Sequence, residues 1–197
     1  MQPLTLDYLQ LSLKIKLGSI AIFPTDTLPA LGVIPKFSNK IWQIKKRPLT
    51  KPLILMSSSK EALFEFVLPS AIEDAYEMAD KYWPGPLTMV LPASGKEVSL
   101  LNQSTNTIGI RVPGNNEALE LLSETGPLAT TSANISGEKP IMNAEEAFYN
   151  FPDVPLLGPL PWPKFSGIAS SVIFWNGSKD WKFLRRGAVI PFSNKNK

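Results

Sequence analysis

Short apolar runs that end abruptly at small polar, proline or glycine residues constrain this chain more than any other feature. Such runs are too short for a buried helix, and their flanks are typical of strand ends. Residues 19–23, for example, run directly into Pro24-Thr25-Asp26-Thr27. The pattern predicts seven strands, at 19–23, 53–56, 87–91, 107–112, 127–131, 171–175 and 182–184.

Segments with helical spacing lie between these strands. The leucines of residues 5–17 also alternate, as in a strand, but the strand predicted directly afterwards favours a helix. The other predicted helices are 39–47, 60–66, 70–82, 117–124 and 143–149, and residues 151–163 are irregular and rich in proline. Because some predicted strands follow each other without a helix, we expect an α/β domain with an open, twisted, mixed sheet flanked by helices. It should span residues 1–192, followed by a polar tail at 193–197.

The chain contains no cysteine and no histidine. Disulfides, Ser-His-Asp triads, haem ligation through histidine and ordinary zinc sites are therefore excluded. A metal ion would need oxygen ligands, most simply Mg²⁺ that arrives with phosphates. These restrictions favour electrostatic catalysis on a charged substrate.

Basic charge is concentrated in two places. Residues 36–60 contain seven basic and no acidic residues, and Lys182, Arg185 and Arg186 form a second group. Localised positive charge favours a nucleotide or a nucleic acid as partner, although a solvated surface is the simpler explanation for single lysines. No apolar run is long enough to span a membrane, and the N-terminus lacks a basic leader, so we expect a cytoplasmic protein.

Residues 126–137 combine an apolar run with a cluster of hydroxyl and amide side chains. They form either a ligand-binding stretch or a strand that ends in a helix cap or turn. Neither a P-loop nor a G-x-G-x-x-G signature is present. Further polar clusters follow other strands or lie in loops, and their convergence at one sheet edge would create a basic, hydroxyl-lined concave site. The clusters are Thr25/Thr27, Lys45/Arg47/Lys51, Thr107/Arg111, Thr130/Ser132/Asn134 and Ser170/Ser171 with Arg185.

Seven motifs in a fixed order resemble the YrdC/TsaC family of threonylcarbamoyl-AMP synthases in its single-domain form. They are Phe23-Pro24-Thr25-Asp26-Thr27, Lys45-Lys46-Arg47-Pro48 with Lys51-Pro52-Leu53-Ile54, Trp83-Pro84-Gly85-Pro86-Leu87-Thr88, Ile110-Arg111-Val112-Pro113, Thr131-Ser132-Ala133-Asn134-Ile135-Ser136-Gly137, Gly167-Ile168-Ala169-Ser170-Ser171-Val172 and Leu184-Arg185-Arg186-Gly187. Each motif alone is weak, but their common order over residues 5–190 is specific.

The resemblance implies a nucleotidyltransferase that makes L-threonylcarbamoyladenylate and pyrophosphate from L-threonine, bicarbonate or CO₂, and ATP with Mg²⁺. The product would then serve a downstream transfer complex that modifies adenosine 37 of tRNA. By matching motifs, the family's signature residues are Lys45, Arg47, Ser132 and Asn134. The resemblance implies that these four are catalytic and that Lys45 and Asn134 act around the phosphates. The implied ATP contacts are Arg47, Lys51, Thr107, Ser132, Pro140 and Arg185. The implied threonine contacts are Thr27, Arg111, Thr130 and Ser170, with Ser171 as the alternative to Ser170.

The chain departs from the family pattern at two places. Leu28-Pro29-Ala30 replaces the usual tyrosine and first glycine, and Met56 stands where longer relatives often have a histidine. The main alternative function is a non-catalytic RNA-binding module that uses the same basic surface. A carbamoyl-adenylate-forming relative of the hydrogenase-maturation type is less consistent, since those proteins carry zinc-finger cysteines.

Overall fold

The computed structural model describes residues 2–192 and forms a mixed α/β fold. Its strands are β1 (Thr5–Leu6), β2 (Ala21–Phe23), β3 (Ala30–Val33), β4 (Ile54–Met56), β5 (Leu87–Pro92), β6 (Thr107–Arg111), β7 (Leu128–Ser132), β8 (Leu156–Leu157), β9 (Ser171–Gly177) and β10 (Asp180–Arg185). Its helices are α1 (Tyr8–Lys16), α2 (Asn39–Ile44), α3 (Lys60–Phe64), α4 (Pro69–Tyr82), α5 (Lys96–Leu101), α6 (Asn116–Thr125) and α7 (Ala144–Asn150). A short 3-10 turn, Pro35–Phe37, precedes α2.

The ten strands of the described range form one sheet in the order β1-β8-β2-β3-β7-β4-β6-β5-β9-β10. Four neighbouring pairs are parallel and the other five are antiparallel. The predicted mixed sheet with flanking helices is therefore confirmed. Its central strands, β7 and β4, come from distant parts of the chain.

Alternating side chains place apolar cores on both faces of the sheet. Along β2, Ala21 and Phe23 pack into a cluster that includes Leu11 of α1. The intervening Ile22 packs into another cluster, together with Ala147 of α7. A third and larger cluster joins β4, β5 and β6 to α2, α3, α4 and α5. Successive side chains of a strand point to opposite faces of the sheet. A strand that is covered on both faces therefore has a continuous apolar sequence.

The close packing of β2 against β3 depends on a glycine. A Cβ atom added at Gly32 would lie 2.7 Å from Cε1 of Phe23, which is closer than side-chain contacts permit. Gly32 pairs with Ala21 across the two antiparallel strands. This packing fixes the position of the loop between β2 and β3, which carries Thr25 and Thr27.

All seven predicted strands and all six predicted helices are present, with ends that differ by a few residues. The helix predicted over 5–17 begins only at Tyr8, because the Asp7 carboxylate accepts a hydrogen bond from the Gln10 amide and caps it. The sequence did not predict β1, β3, β8 or α5. The polar tail predicted at 193–197 lies outside the described residues, and the single-domain assignment of 1–192 stays a prediction.

In the structure, residues 126–137 contain a strand that ends in a turn rather than in a helix cap. β7 ends at Ser132, and the next helix, α7, starts only at Ala144. The turn is held by the Asn134 side-chain amide, which donates to the carbonyl oxygens of Ile135 and Glu138. Across residues 2–192, moreover, no helix combines the length and the apolar character that crossing a membrane requires.

Candidate active site

A cavity of about 370 Å³ opens where β3, β7, β4 and β6 lie side by side. The register of the strands places residues of the cavity wall next to each other. Ser132 pairs with Ala30, Thr130 with Ile54, and Met56 with Arg111. Eight of the twelve predicted site residues line the cavity: Thr27, Arg47, Lys51, Arg111, Thr130, Ser132, Ser170 and Arg185. Four of these eight are cationic, and no acidic side chain is among the described lining residues.

The loop after β2 is shaped by the hydroxyl group of Thr25. Its Oγ1 accepts hydrogen bonds from the backbone amides of Thr27 (3.1 Å) and Leu28 (3.2 Å) and donates to the Leu28 carbonyl (2.7 Å). Thr25 is buried, so these bonds satisfy a hydroxyl that would otherwise be costly to bury. Thr25 therefore stabilises the turn that presents Thr27 to the cavity.

The guanidinium group of Arg111 is buried at the end of β6 and is bound on three sides. Nε donates to the Gly85 carbonyl at 3.0 Å, Nη1 donates to Oγ1 of Thr27 at 3.0 Å, and Nη2 donates to Oδ1 of Asp26. Burial lowers the pKa of Arg111 from its ordinary value, and the charge and hydrogen bond of Asp26 act against this shift. A guanidinium has five N–H groups, so two remain for a ligand.

Arg47 and Lys51 form a second cationic part of the wall, in the loop between α2 and β4. Arg47 is held by backbone carbonyl groups: Nε donates to Lys51 at 3.2 Å and Nη2 donates to Pro52 at 2.9 Å. Burial lowers the pKa of Arg47 from its ordinary value. An arginine held in this way presents its remaining N–H groups in a fixed direction.

Lys45 lies behind this wall and does not line the cavity. It is 1% exposed, and Nζ donates to the Ser132 carbonyl and to Oδ1 of Asn134. Oδ1 of Asn134 also accepts from the Ser132 hydroxyl at 2.7 Å. Desolvation, followed by the charge of Arg47, lowers the pKa of Lys45 from 10.5 to about 7. Lys45 and Asn134 thus hold Ser132 in place rather than face the cavity themselves.

Ser170 and Arg185 close the opposite side of the cavity. Arg185 donates to Ser170 twice, from Nε to the carbonyl at 2.9 Å and from Nη2 to Oγ at 3.1 Å. The Ser170 hydroxyl also lies 2.9 Å from the hydroxyl of Thr88. Ser171, by contrast, is fully buried, accepts from the Gly187 amide at 2.9 Å and donates to the Val189 carbonyl. Of the two serines, it is Ser170 that reaches the cavity.

Thr107 and Pro140 lie elsewhere. Thr107 begins β6, whereas Arg111 ends it, and a strand of five residues separates them by roughly 13 Å. The Thr107 hydroxyl is 2.7 Å from that of Thr105. Pro140 is exposed, in the segment between β7 and α7.

The cavity also contains residues that sequence reasoning did not select. Thr88 is buried in β5 and hydrogen-bonds to Ser170, and its place in the Trp83–Thr88 motif was the available signal. Leu28, Ala30, Met56 and Val172 add apolar surface. No group of three or more Asp, Glu, His or Cys side chains that could hold a metal ion occurs within residues 2–192.

Comparison with known proteins places this geometry in context. Residues 14–187 match the Sua5_yciO_yrdC family model, which carries the description "Telomere recombination". A protein named threonylcarbamoyl-AMP synthase from Pyrococcus abyssi (strain GE5 / Orsay) is 37% identical over 142 residues, which cover 70% of this chain but only 41% of that protein. A protein of the same name from Idiomarina loihiensis is 36% identical over 71% of this chain and 77% of its own length.

Solved structures agree with these matches. P. abyssi Sua5 complexed with L-threonine superposes with a TM-score of 0.81 at 28% identity, over 92% of this chain and 55% of that one. Escherichia coli YciO, at 24% identity, shares the fold with a TM-score of 0.78 over 93% of both chains. The family match covers most of the chain and includes every residue that lines the cavity, and we conclude that this chain belongs to the Sua5/YciO/YrdC family.

Proposed function

We propose that this chain is a threonylcarbamoyl-AMP synthase, which forms L-threonylcarbamoyladenylate and pyrophosphate from L-threonine, bicarbonate or CO₂, and ATP. The observation that carries the proposal is a single cavity in which Arg111 and hydroxyl groups lie beside three further cations. Such a cavity can hold an amino-acid carboxylate and a polyphosphate at the same time. The names of the relatives support the assignment.

The amino-acid end is assigned to Thr27, Arg111, Thr130 and Ser170. The two free N–H groups of Arg111 suit a carboxylate, which a guanidinium binds in a bidentate manner. Thr27 is already aligned by its bond to Nη1 of Arg111. Thr130 is fully buried, and its hydroxyl is only weakly engaged by the Ile54 carbonyl at 3.4 Å, so it can turn towards a ligand.

The triphosphate end is assigned to Arg47, Lys51, Ser132 and Arg185, with Lys45 and Asn134 as the support of Ser132. The other predicted ATP contacts, Thr107 and Pro140, stay predictions, and a nucleotide would have to extend beyond the cavity to reach them. The lining side chains include no carboxylate, so Mg²⁺ fits here only as a partner of the phosphates, whose charge it would help to neutralise.

The reaction needs no side-chain nucleophile. The bound α-ammonium group of threonine first loses a proton to solvent. The resulting amine adds to CO₂ and releases a second proton. An oxygen of the carbamate then attacks the α-phosphorus of ATP while the bond to pyrophosphate breaks. Negative charge accumulates on the phosphoryl oxygens in the transition state, where fixed cations and hydroxyl donors stabilise it. Arg47, held by two carbonyl groups, is the strongest candidate for this role.

The assay is pyrophosphate release, measured with each substrate omitted in turn. Release should require threonine, bicarbonate and Mg-ATP together, and Arg47→Ala should lower the rate on the order of 10²-fold. Arg186→Ala is the matched control, since Arg186 packs on the Phe183 ring and does not line the cavity. Release that ignores threonine, or an Arg47 variant with full rate, would contradict the assignment.

We further propose that the product is passed, in the cytoplasm, to a transfer complex that modifies adenosine 37 of tRNA. The alternative, a non-catalytic RNA-binding module, predicts tRNA binding with a steep salt dependence that ATP does not affect. Titration of tRNA at several salt concentrations, with and without ATP, separates the two functions.

A further inference from the structure

Asp26 does not line the cavity, but its carboxylate binds the guanidinium group of Arg111, which does. Its Oδ1 accepts hydrogen bonds from Nη2 of Arg111 and from the Gly114 amide at 2.9 Å. Its other oxygen, Oδ2, is buried and finds no hydrogen-bond partner within residues 2–192. The side chain is 15% exposed, while that of Arg111 is 3% exposed. This is a largely buried ion pair directly beside the proposed amino-acid end.

The pair makes Arg111 different from the other cations of the cavity. Arg47, Lys51 and Arg185 have no salt bridge to an acidic side chain in the described part of the chain, whereas Arg111 is paired with Asp26 before any ligand arrives. An unpaired guanidinium attracts any anion, including phosphate. A paired one has its charge largely balanced and offers mainly directional N–H donors.

We propose that Asp26 is a specificity-determining residue, which neutralises Arg111 so that this end of the cavity accepts a carboxylate only when the ligand brings its own positive charge, as the α-ammonium group of an amino acid does. The inference rests on the proposed function and deepens it. Asp26 would exclude polyphosphate and plain carboxylates from the amino-acid end and would leave the triphosphate to Arg47, Lys51 and Arg185.

The expected size of the effect follows from Coulomb's law. A carboxylate bound to Arg111 places the α-ammonium group roughly 6 to 8 Å from Asp26, which at an effective dielectric constant of about 20 corresponds to on the order of 30- to 100-fold in affinity. The same negative charge repels the carboxylate of every ligand. For threonine, the attraction between Asp26 and the α-ammonium group compensates for this repulsion. A ligand without the amino group has no such attraction.

The test compares L-threonine with 3-hydroxybutanoate, which is threonine without its amino group, by calorimetric titration of the full chain without ATP. Wild-type protein should prefer threonine by about 10-fold or more. Asp26→Asn keeps the size of the side chain and removes its charge, so it should bind 3-hydroxybutanoate more tightly than wild type and reduce the preference to about threefold or less. Asp26→Glu, which keeps the charge, should retain most of the preference. Asp153→Asn is the surface control, because Asp153 is exposed and outside the cavity.

A merely structural role would weaken both ligands together, so tighter binding of 3-hydroxybutanoate is the decisive result. Equal losses for both ligands, or an unchanged preference in Asp26→Asn, would overturn the inference and leave the synthase assignment intact. The wild-type comparison needs no variant, and a preference below about threefold there also overturns it. Altered preference without pyrophosphate release would support the inference and refute the synthase assignment. Absence of threonine binding to wild type would overturn both.

Discussion

The buried amine of Lys45 should make the stability of this protein depend on pH in a defined window. Its pKa falls from 10.5 to about 7 on folding, mainly through desolvation. Between these values the unfolded chain binds a proton that the folded protein does not bind, so the free energy of unfolding rises with pH. The limiting slope is about 1.4 kcal/mol per pH unit, which gives a gain of about 2 kcal/mol between pH 7 and pH 9.

Replacement of Lys45 by methionine isolates this contribution. Methionine fills a similar volume and cannot titrate, while the other ionisable groups are common to both proteins. Urea unfolding at pH 7, 8 and 9 gives the free energy of unfolding of each protein. The difference, wild type minus Lys45→Met, should rise by about 2 kcal/mol over this range. A difference that stays constant with pH, or that falls, would refute the argument that Lys45 loses its proton on folding.

Further substitutions test the two serines and the close packing of the sheet. Ser170→Ala should raise the KM for threonine about 10-fold, since its hydroxyl lines the cavity. It should destabilise the fold less than Ser171→Ala, because water in the cavity can replace the bonds to Thr88 and Arg185. Ser171→Ala should instead destabilise the fold by about 1–3 kcal/mol in urea unfolding, because the Gly187 amide loses its acceptor. Equal effects of both variants on KM would contradict the assignment of a binding role to Ser170 and a structural role to Ser171. Gly109→Ala should lower the free energy of unfolding by about 1–3 kcal/mol, because the added Cβ would lie 2.8 Å from Cγ2 of Ile54. Unchanged stability would show that β4 can move aside.

The strands and helices with strong local signals could be predicted from the sequence, whereas those formed by tertiary pairing could not. β3 contains Gly32 and directly follows Pro29, and both residues read as loop signals. It is nevertheless a strand because β2 and β7 pair with it on either side. β1 and β8 have two residues each and exist through tertiary pairing, β1 with β8 and β8 also with β2. No local pattern carries this information.

The residue types of the site were predictable, but their arrangement was not. The motifs identified the polar residues, yet the sheet order that places β7 between β3 and β4 joins segments far apart in sequence. Lys45 was predicted to act around the phosphates. Its position behind Ser132 depends on a turn whose Ser136 amide donates to the Lys45 carbonyl, a contact between distant segments.

The distribution of the cavity wall along the chain has a consequence for biosynthesis. Thr27 is translated early and Arg185 near the end of the described range, while β9 inserts beside β5 and β10 beside β9. Contacts of such large sequence separation form slowly, because loop-closure entropy must be overcome first. A nascent chain that ends before Ser170 lacks both Ser170 and Arg185, so the cavity is completed only after β9 and β10 leave the ribosome. Binding competence is therefore a late event in the life of each molecule.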